Sequence, residues 1–162
     1  SDDGWAKDKL EKQISFMEKN DLNFTYTDYT SFFEKNGKKK FKGRTHLKDS
    51  LNYREFIRNT SINTTTMIIA RSILGCHRFR KIKSFEDYLF KCKLLKANNI
   101  AKKLNEDLAF YRILNKSRSS QRLKNIYWLW HINKNHNKLS FFSNLVSVLC
   151  ISFNSIKKYG FK

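Results

Sequence analysis

Several residue types and motifs are scarce in this sequence or missing from it. It contains no proline, five glycines and three cysteines in 162 residues. So little glycine excludes collagen-like and linker-rich chains, and neither a GxGxxG nor a GxxxxGKS/T phosphate loop is present. Cys76, Cys92 and Cys150 are odd in number and widely spaced, which predicts neither a disulfide framework nor a CxxC metal site and favours a reducing compartment.

Long apolar runs are also missing. The nearest candidate, residues 141–156, is interrupted repeatedly by serine and asparagine, whereas a membrane-spanning helix needs about 18 consecutive apolar residues. The chain opens on a polar stretch rather than on the charged and then apolar pattern of a secretion signal. We therefore do not expect an integral membrane protein.

Acidic residues are few, with 14 Asp and Glu against 33 Lys and Arg, so the net charge is +19. A charge of this sign favours a polyanionic partner, either nucleic acid or an anionic membrane surface. Lysine spread along the whole chain is also typical of a merely solvated surface. The 14 Phe, 7 Tyr and 3 Trp exclude a disordered basic tail, and the length suits one domain.

The predicted elements alternate between helix and strand. The first is a helix over 7–20, followed by a strand from Phe24 that continues into a hairpin at Asn36-Gly37. A short helix from Asp49 or Ser50 to Asn59 and a buried strand over 61–69 come next. The last are a helix capped by Ser84 and two short strands, over 100–104 and 108–113, on either side of a turn. The apolar periodicity and the turn signals support each of these elements. The sequence therefore predicts a mixed α/β fold.

Beyond residue 115 two basic helices are predicted. In the second, apolar residues recur at steps of three and four, a spacing typical of a packing seam. These residues are Leu139, Phe142, Val146, Leu149, Phe153 and Ile156. The first interpretation is that this seam docks on the domain or on a partner helix. The alternative is a helix lying in the plane of a membrane, favoured by the flanking Lys157 and Lys158.

Three pairs of acids could carry chemistry: Asp2-Asp3, Glu86-Asp87 and Glu106-Asp107. Paired carboxylates bind hard divalent cations, or one of them acts as a general base. The structural alternatives are a frayed terminus, a helix N-terminus and a turn, respectively. The histidines show no metal-ligand spacing, and Cys92 lies on an apolar helix face that is expected to be core.

Five segments, taken in order, resemble inverting family 2 glycosyltransferases, which are bacterial sugar transferases with a nucleotide-binding α/β domain. These segments are Ser1–Trp5 with Lys9–Gln13, Phe24–Thr27, Asn63–Ile68, Phe85–Tyr88 and Leu104–Arg112. The resemblance implies a partial A-type glycosyltransferase fold, a mixed sheet with flanking helices followed by two carboxy-terminal helices. Residues 1–115 would then form the metal and acceptor side of the catalytic domain, and residues 116–162 a basic helical extension.

The same resemblance implies roles for individual residues. Asp2 matches the second aspartate of the DxD motif, which holds Mn²⁺ or Mg²⁺ on the donor diphosphate, and Asp87 matches the catalytic base. By the same matching, the donor phosphates are bound by Arg112, Lys116, Ser117 and Ser119, and the acceptor side carries Glu86, Thr64 and Thr66.

The implied partners are a nucleotide-sugar donor and a glycan or lipid-linked acceptor of cell-envelope polysaccharide biosynthesis. An anionic membrane surface is a further expected partner, with a cytoplasmic, peripheral location at the inner face of the cell membrane. A nucleic-acid-binding module that uses Tyr127, Trp128 and Trp130 is the alternative function. A non-catalytic remnant that associates through its last helix is a third.

Two departures from the family pattern bear on activity. Lys91 stands where the family often has tryptophan, which alters a packing position. The family's upstream half, which ends in the first aspartate of the DxD motif, is not matched in this sequence. We therefore expect the 162-residue chain alone to have little or no transferase activity.

Overall fold

A mixed sheet of six strands forms the centre of the computed structural model, which describes residues 3–35, 37–113 and 122–159. The strands are β1 (Gly4–Trp5), β2 (Phe24–Lys35), β3 (Lys38–Thr45), β4 (Ser50–Leu51), β5 (Ile68–Ile69) and β6 (Ala101–Arg112). The helices are α1 (Lys9–Lys19), α2 (Tyr53–Phe56), α3 (Arg71–Leu74), α4 (Glu86–Lys96), α5 (Arg122–Asn135) and α6 (Phe141–Tyr159), with a 3₁₀ turn at Thr64–Thr66. The mixed α/β fold with two final helices is confirmed.

The two long strands β2 and β6 pair in parallel at the middle of the sheet. β3 lies antiparallel on the outer side of β2, and β1 lies antiparallel on the outer side of β6. Gly4 in β1 is paired with Phe110 in β6. This register brings the acidic amino-terminal segment to the carboxyl end of β6, where ligand clefts of α/β proteins form.

The hydrophobic core lies between the sheet and the helices. Phe24 and Tyr26 of β2 contribute to it, and the rings of Phe56 and Tyr88 stack at 5.7 Å between α2 and α4. Helices α5 and α6 add Leu129, Ile132 and Val148 to the same core. The last two helices are therefore packed into the fold rather than held apart from it.

The first helix, the hairpin and the helix with a buried apolar stripe after residue 85 are confirmed, and Cys92 is buried as expected. The predicted buried strand over 61–69 is wrong apart from the two residues of β5. A 3₁₀ turn takes its place, because the Asn63 side chain accepts a hydrogen bond from the Thr65 backbone N–H at 3.0 Å. Such local side-chain bonds compete with strand pairing.

Three further features differ from the predictions. β6 is one continuous strand, because Asp107 accepts a hydrogen bond from the Thr30 hydroxyl across the sheet rather than forming a turn. Neither Asp49 nor Ser50 caps α2, since Asn52 forms a capping box with Glu55. Ser84 is not the cap of α4 either. That position is Phe85, whose φ of 62° lies in the left-handed region.

The expected docking of the α6 seam on the domain holds for Leu139, which packs against the core, but is wrong for most of the seam. Phe142, Leu149 and Phe153 are 77%, 60% and 68% exposed. The helix instead turns polar side chains inward, where Asn144 donates to the Trp130 carbonyl at 3.1 Å and Ser147 donates to a backbone carbonyl of residue 57. An apolar stripe is thus left on the surface of the described chain.

Helix α1 also turns polar side chains toward the interior and apolar side chains toward the surface. Lys9 and Gln13 are fully buried, whereas Leu10 and Ile14 are more than two-fifths exposed. The Lys9 ammonium donates to Gln13 at 2.9 Å, and Gln13 donates to the Thr25 hydroxyl at 3.0 Å. Burial lowers the pKa of Lys9 to about 8.

None of the helices in the described parts of the chain combines the length and the apolar character needed to cross a bilayer.

Candidate active site

Two carboxylates that are far apart in sequence meet at consecutive threonines of the 3₁₀ turn. The Thr65 hydroxyl donates to the Asp3 carboxylate, and the Thr64 hydroxyl donates to Asp87 Oδ2 at 3.3 Å. The turn therefore ties the acidic amino-terminal segment to the first turn of α4. This junction unites two of the three acidic pairs singled out in the sequence.

Asp3 is held by both of its carboxylate oxygens. Besides the Thr65 contact through Oδ2, its Oδ1 accepts the backbone N–H of Arg112 at 3.0 Å, at the end of β6. The indole N–H of Trp5 donates to the Thr65 carbonyl at 2.8 Å, which fixes the turn against β1. These bonds lock together three segments that are distant in the chain. An open cleft of about 470 Å³ lies beside these segments and is lined by Asp3, Gly4, Trp5, Thr64 and Thr65.

Asp87 stands at the rim of this junction, with its side chain 48% exposed. Burial alone would raise the pKa of its carboxyl. The ammonium of Lys91, 2.8 Å from Oδ2, outweighs that effect together with hydrogen bonds from the Tyr88 backbone and from Thr64, so the pKa of Asp87 lies below its ordinary value. The carboxylate is therefore ionised at neutral pH and able to accept a proton.

The other predicted site residues differ in their burial and in their contacts with this junction. Glu86 is half-buried in the first turn of α4, next to Asp87. Thr66 is fully buried, and its hydroxyl donates to the Asn63 carbonyl at 2.8 Å. The Arg112 guanidinium pairs with Glu34 at 2.8 Å, while its backbone N–H holds Asp3. The predicted residues Asp2, Lys116, Ser117 and Ser119 fall outside the described residues.

A metal site cannot be assembled from the described residues alone. Within 3–35, 37–113 and 122–159, no three His, Cys, Asp or Glu residues are grouped as metal ligands. Asp3 directly follows Asp2, and its two oxygens accept one hydrogen bond each, from the Thr65 hydroxyl and from the Arg112 backbone N–H. These two bonds orient Asp3 within the acidic motif, and the predicted metal ligand Asp2 falls outside the described residues.

Sequence reasoning missed the role of Asp3 and the contact of Lys91 with Asp87. Asp3 stands out in the sequence only as one member of an acidic pair. The replacement of a family tryptophan by Lys91 predicts altered packing and an altered acceptor wall, but Lys91 also lies four residues after Asp87, the spacing at which helical side chains of opposite charge meet. That spacing was the available signal for Lys91. The bond from Thr65 to Asp3 joins residues 62 positions apart and leaves no local pattern.

Comparison with known proteins finds relatives along almost the whole chain. It is 34% identical over 158 residues to TuaG of Bacillus subtilis (strain 168), a glycosyltransferase assigned to teichuronic acid biosynthesis, covering 98% of this chain and 62% of TuaG. It is 30% identical to the Escherichia coli UDP-Glc:alpha-D-GlcNAc-diphosphoundecaprenol beta-1,3-glucosyltransferase WfgD, covering 82% of this chain and 51% of WfgD. An uncharacterized glycosyltransferase of Haemophilus influenzae is 29% identical, with 98% and 62% covered.

The fold is similar to that of one solved structure. Residues 1–349 of TarS from S. aureus, solved in complex with UDP-GlcNAc, match with a TM-score of 0.55 and 14% identity, covering 98% of this chain and 50% of that one. No family model matches the chain. The protein is thus homologous to glycosyltransferases and shares the fold of one. It spans between half and two-thirds of the length of the curated relatives it matches.

Proposed function

We propose that this protein is an inverting family 2 glycosyltransferase that extends a cell-envelope polysaccharide or a lipid-linked oligosaccharide. The observation that supports this most directly is the junction at Thr64 and Thr65. It places an ionised, half-exposed Asp87 beside the cleft that the acidic amino-terminal motif borders. A transferase needs this combination, since a base must stand close to the group that binds the donor phosphates.

In the proposed reaction, Asp87 accepts the proton of an acceptor hydroxyl while that oxygen attacks the anomeric carbon of the donor sugar. The bond from that carbon to the phosphate oxygen breaks, and the nucleoside diphosphate leaves with the electron pair. A carboxylate with a lowered pKa is ionised before the reaction and ready to take the proton. Glu86 and Thr64 form the acceptor side of the site in this proposal, whereas Thr66, which the resemblance also assigned there, is fully buried and supports the turn from inside.

The donor side of the proposal rests on the acidic motif and the end of β6. Asp2 would hold a Mn²⁺ or Mg²⁺ ion, and such an ion offsets the charge of a leaving diphosphate. Asp3 orients the motif through its bonds to Arg112 and Thr65. Cationic and hydroxyl groups suit phosphate oxygens, which is the role we propose for Arg112, Lys116, Ser117 and Ser119.

The proposal also assigns separate functions to two segments of the chain. Residues 1–115 supply the metal and acceptor side, and residues 116–162 form the helical extension. The resemblance to family 2 implies that the nucleotide base is bound by a half of the catalytic domain that this sequence does not match, and we propose the same arrangement for the complete gene product.

Activity assays test the proposed function directly. The complete gene product, incubated with Mn²⁺, a set of nucleotide sugars and a lipid-diphosphate acceptor, should release nucleoside diphosphate only when donor and acceptor are both present. The 162-residue chain alone should release little or none. A complete gene product that transfers no sugar to any glycan or lipid-linked acceptor would refute the proposed function, and robust transfer by the short chain would refute its dependence on upstream residues.

We further propose that the protein binds peripherally to the inner face of the cell membrane through α6. This helix exposes Phe142, Leu149 and Phe153 on a chain with a net charge of +19. Apolar side chains that enter the acyl boundary and positive charge attracted to anionic lipid act together in interfacial helices. Such binding would keep the site near a lipid-linked acceptor.

Liposome co-sedimentation tests the membrane proposal. The double substitution Phe142→Ser and Leu149→Ser should lower partition onto vesicles rich in anionic lipid by about tenfold or more, since each buried side chain contributes roughly 1.5–3 kcal/mol. Ile100→Ser is the control, because Ile100 is 52% exposed but lies outside α6. Binding that ignores both the substitutions and the anionic lipid content would contradict the proposal.

A further inference from the structure

Lys91 is a buried cation on α4. Its side chain is 3% exposed, and its ammonium has three acceptors: the Ile62 carbonyl at 2.8 Å, the Thr64 hydroxyl at 3.3 Å and Asp87 Oδ2 at 2.8 Å. Among the described residues, Asp87 is the only carboxylate that pairs with this ammonium. A buried charge is stable only when it is paired and hydrogen-bonded, so Lys91 and Asp87 depend on each other.

The three acceptors place Lys91 between two elements of the site. Asp87 lies one helical turn before it on α4, whereas Ile62 and Thr64 belong to the segment that leads into the 3₁₀ turn. Oδ2 of Asp87 accepts bonds from both Lys91 and Thr64. The orientation of the carboxylate is therefore fixed from two sides, and one of these is a full positive charge.

We propose that Lys91 is a positioning residue that keeps the Asp87 carboxylate ionised and held against Thr64, which lines the cleft. The inference rests on the proposed function of Asp87, but the coupling between the two side chains can be measured without any substrate. A tryptophan at this position, which the sequence comparison with the family suggested, would bring no ammonium.

The groups around Asp87 determine how its charge responds to pH. From α4 these are Lys91, the neighbouring Glu86 and the Tyr88 backbone N–H; from the 3₁₀ turn it is the Thr64 hydroxyl. Lys91 is the cation in this set, and it lies closest to the carboxylate. Removing its charge should raise the pKa of Asp87, because burial then acts with less opposition.

The test compares Lys91→Met with Lys93→Met, which removes the same charge from the same helix. In the 162-residue chain labelled with ¹³C at the aspartate carboxyl carbons, the titration midpoint of Asp87 should move to higher pH in Lys91→Met and stay in place in Lys93→Met. In the complete gene product, the acidic limb of the kcat/KM profile should move the same way. The value of kcat should fall by about tenfold or more while the KM for the nucleotide sugar changes little, since a misplaced reacting group costs rate rather than donor binding.

Each outcome decides between a positioning role and a structural one. A folded Lys91→Met chain with an unshifted Asp87 midpoint would overturn the proposal. If that variant does not fold, Lys91→Gln keeps an amide donor for the Ile62 carbonyl and is judged by the same midpoint. Should the wild-type gene product transfer no sugar, the proposed function fails, yet the titration still decides whether Lys91 controls Asp87.

Discussion

Replacing Asp87 by asparagine in the complete gene product should lower kcat for sugar transfer by about 10²- to 10⁴-fold, the usual contribution of a general base. Asparagine has nearly the same shape but cannot accept the proton. Donor binding, measured by calorimetry with the nucleotide sugar, should change little, because Asp87 is not among the residues proposed to bind the donor phosphates. The measurement is the initial rate of nucleoside diphosphate release at saturating donor.

Asp21→Asn is the matched control for this substitution. Asp21 is exposed just after α1, and its φ of 51° is a conformation that asparagine readily adopts. This variant should transfer sugar at the wild-type rate. An Asp87→Asn enzyme that keeps more than a tenth of wild-type activity would remove Asp87 from the role of base.

Replacing Asp28 by alanine should destabilise the chain by about 3–5 kcal/mol, the range found when one partner of a buried ion pair is removed. Asp28 is fully buried in β2, and its Oδ2 accepts two bonds from the Arg44 guanidinium at 3.0 and 2.8 Å. Its Oδ1 accepts the Leu47 backbone N–H at 2.9 Å and lies 3.5 Å from the ammonium of Lys103. Alanine leaves these donors without their shared acceptor.

Urea unfolding followed by circular dichroism measures this effect, with Asp49→Ala as the control. Asp49 also pairs with Lys103, at 3.1 Å, but its side chain is 91% exposed. Solvent screens such a pair, so the control should lose no more than about 1 kcal/mol. Equal losses in the two variants would show that burial of Asp28 is not what makes its ion pairs important.

Elements with strong local signals could be predicted from the sequence. The Asn36-Gly37 turn and the alternating residues before it predicted the β2–β3 hairpin, and the apolar stripe after residue 85 predicted α4. At the site, the resemblance to a known family singled out Asp87 and Thr64, which the structure brings into contact at 3.3 Å. The positions proposed for Asp2 and for the loop after residue 113 stay predictions.

The differences arise where a distant partner decides the local structure. The sequence around Asp107 predicts a turn, but a hydrogen bond from the Thr30 hydroxyl on the neighbouring strand keeps Asp107 in a strand. The buried faces of α1 and α6 carry Gln13 and Ser147, whose partners lie on β2 and near residue 57. Apolar periodicity identifies a helix correctly. It gives the wrong buried face when hydrogen-bonded polar side chains take the interior positions.

The parallel pairing of β2 with β6 has a consequence for how the chain folds during its synthesis. β2 can pair with β3 soon after both leave the ribosome, but its other edge must wait for β6, since Thr25 pairs with Lys102. Until then, a strand rich in Phe, Tyr and Thr presents unpaired backbone groups, the kind of edge at which chains aggregate. Such non-local pairing also slows folding. This edge of β2 is covered only after β6, which ends at Arg112, has been synthesised and has paired with it.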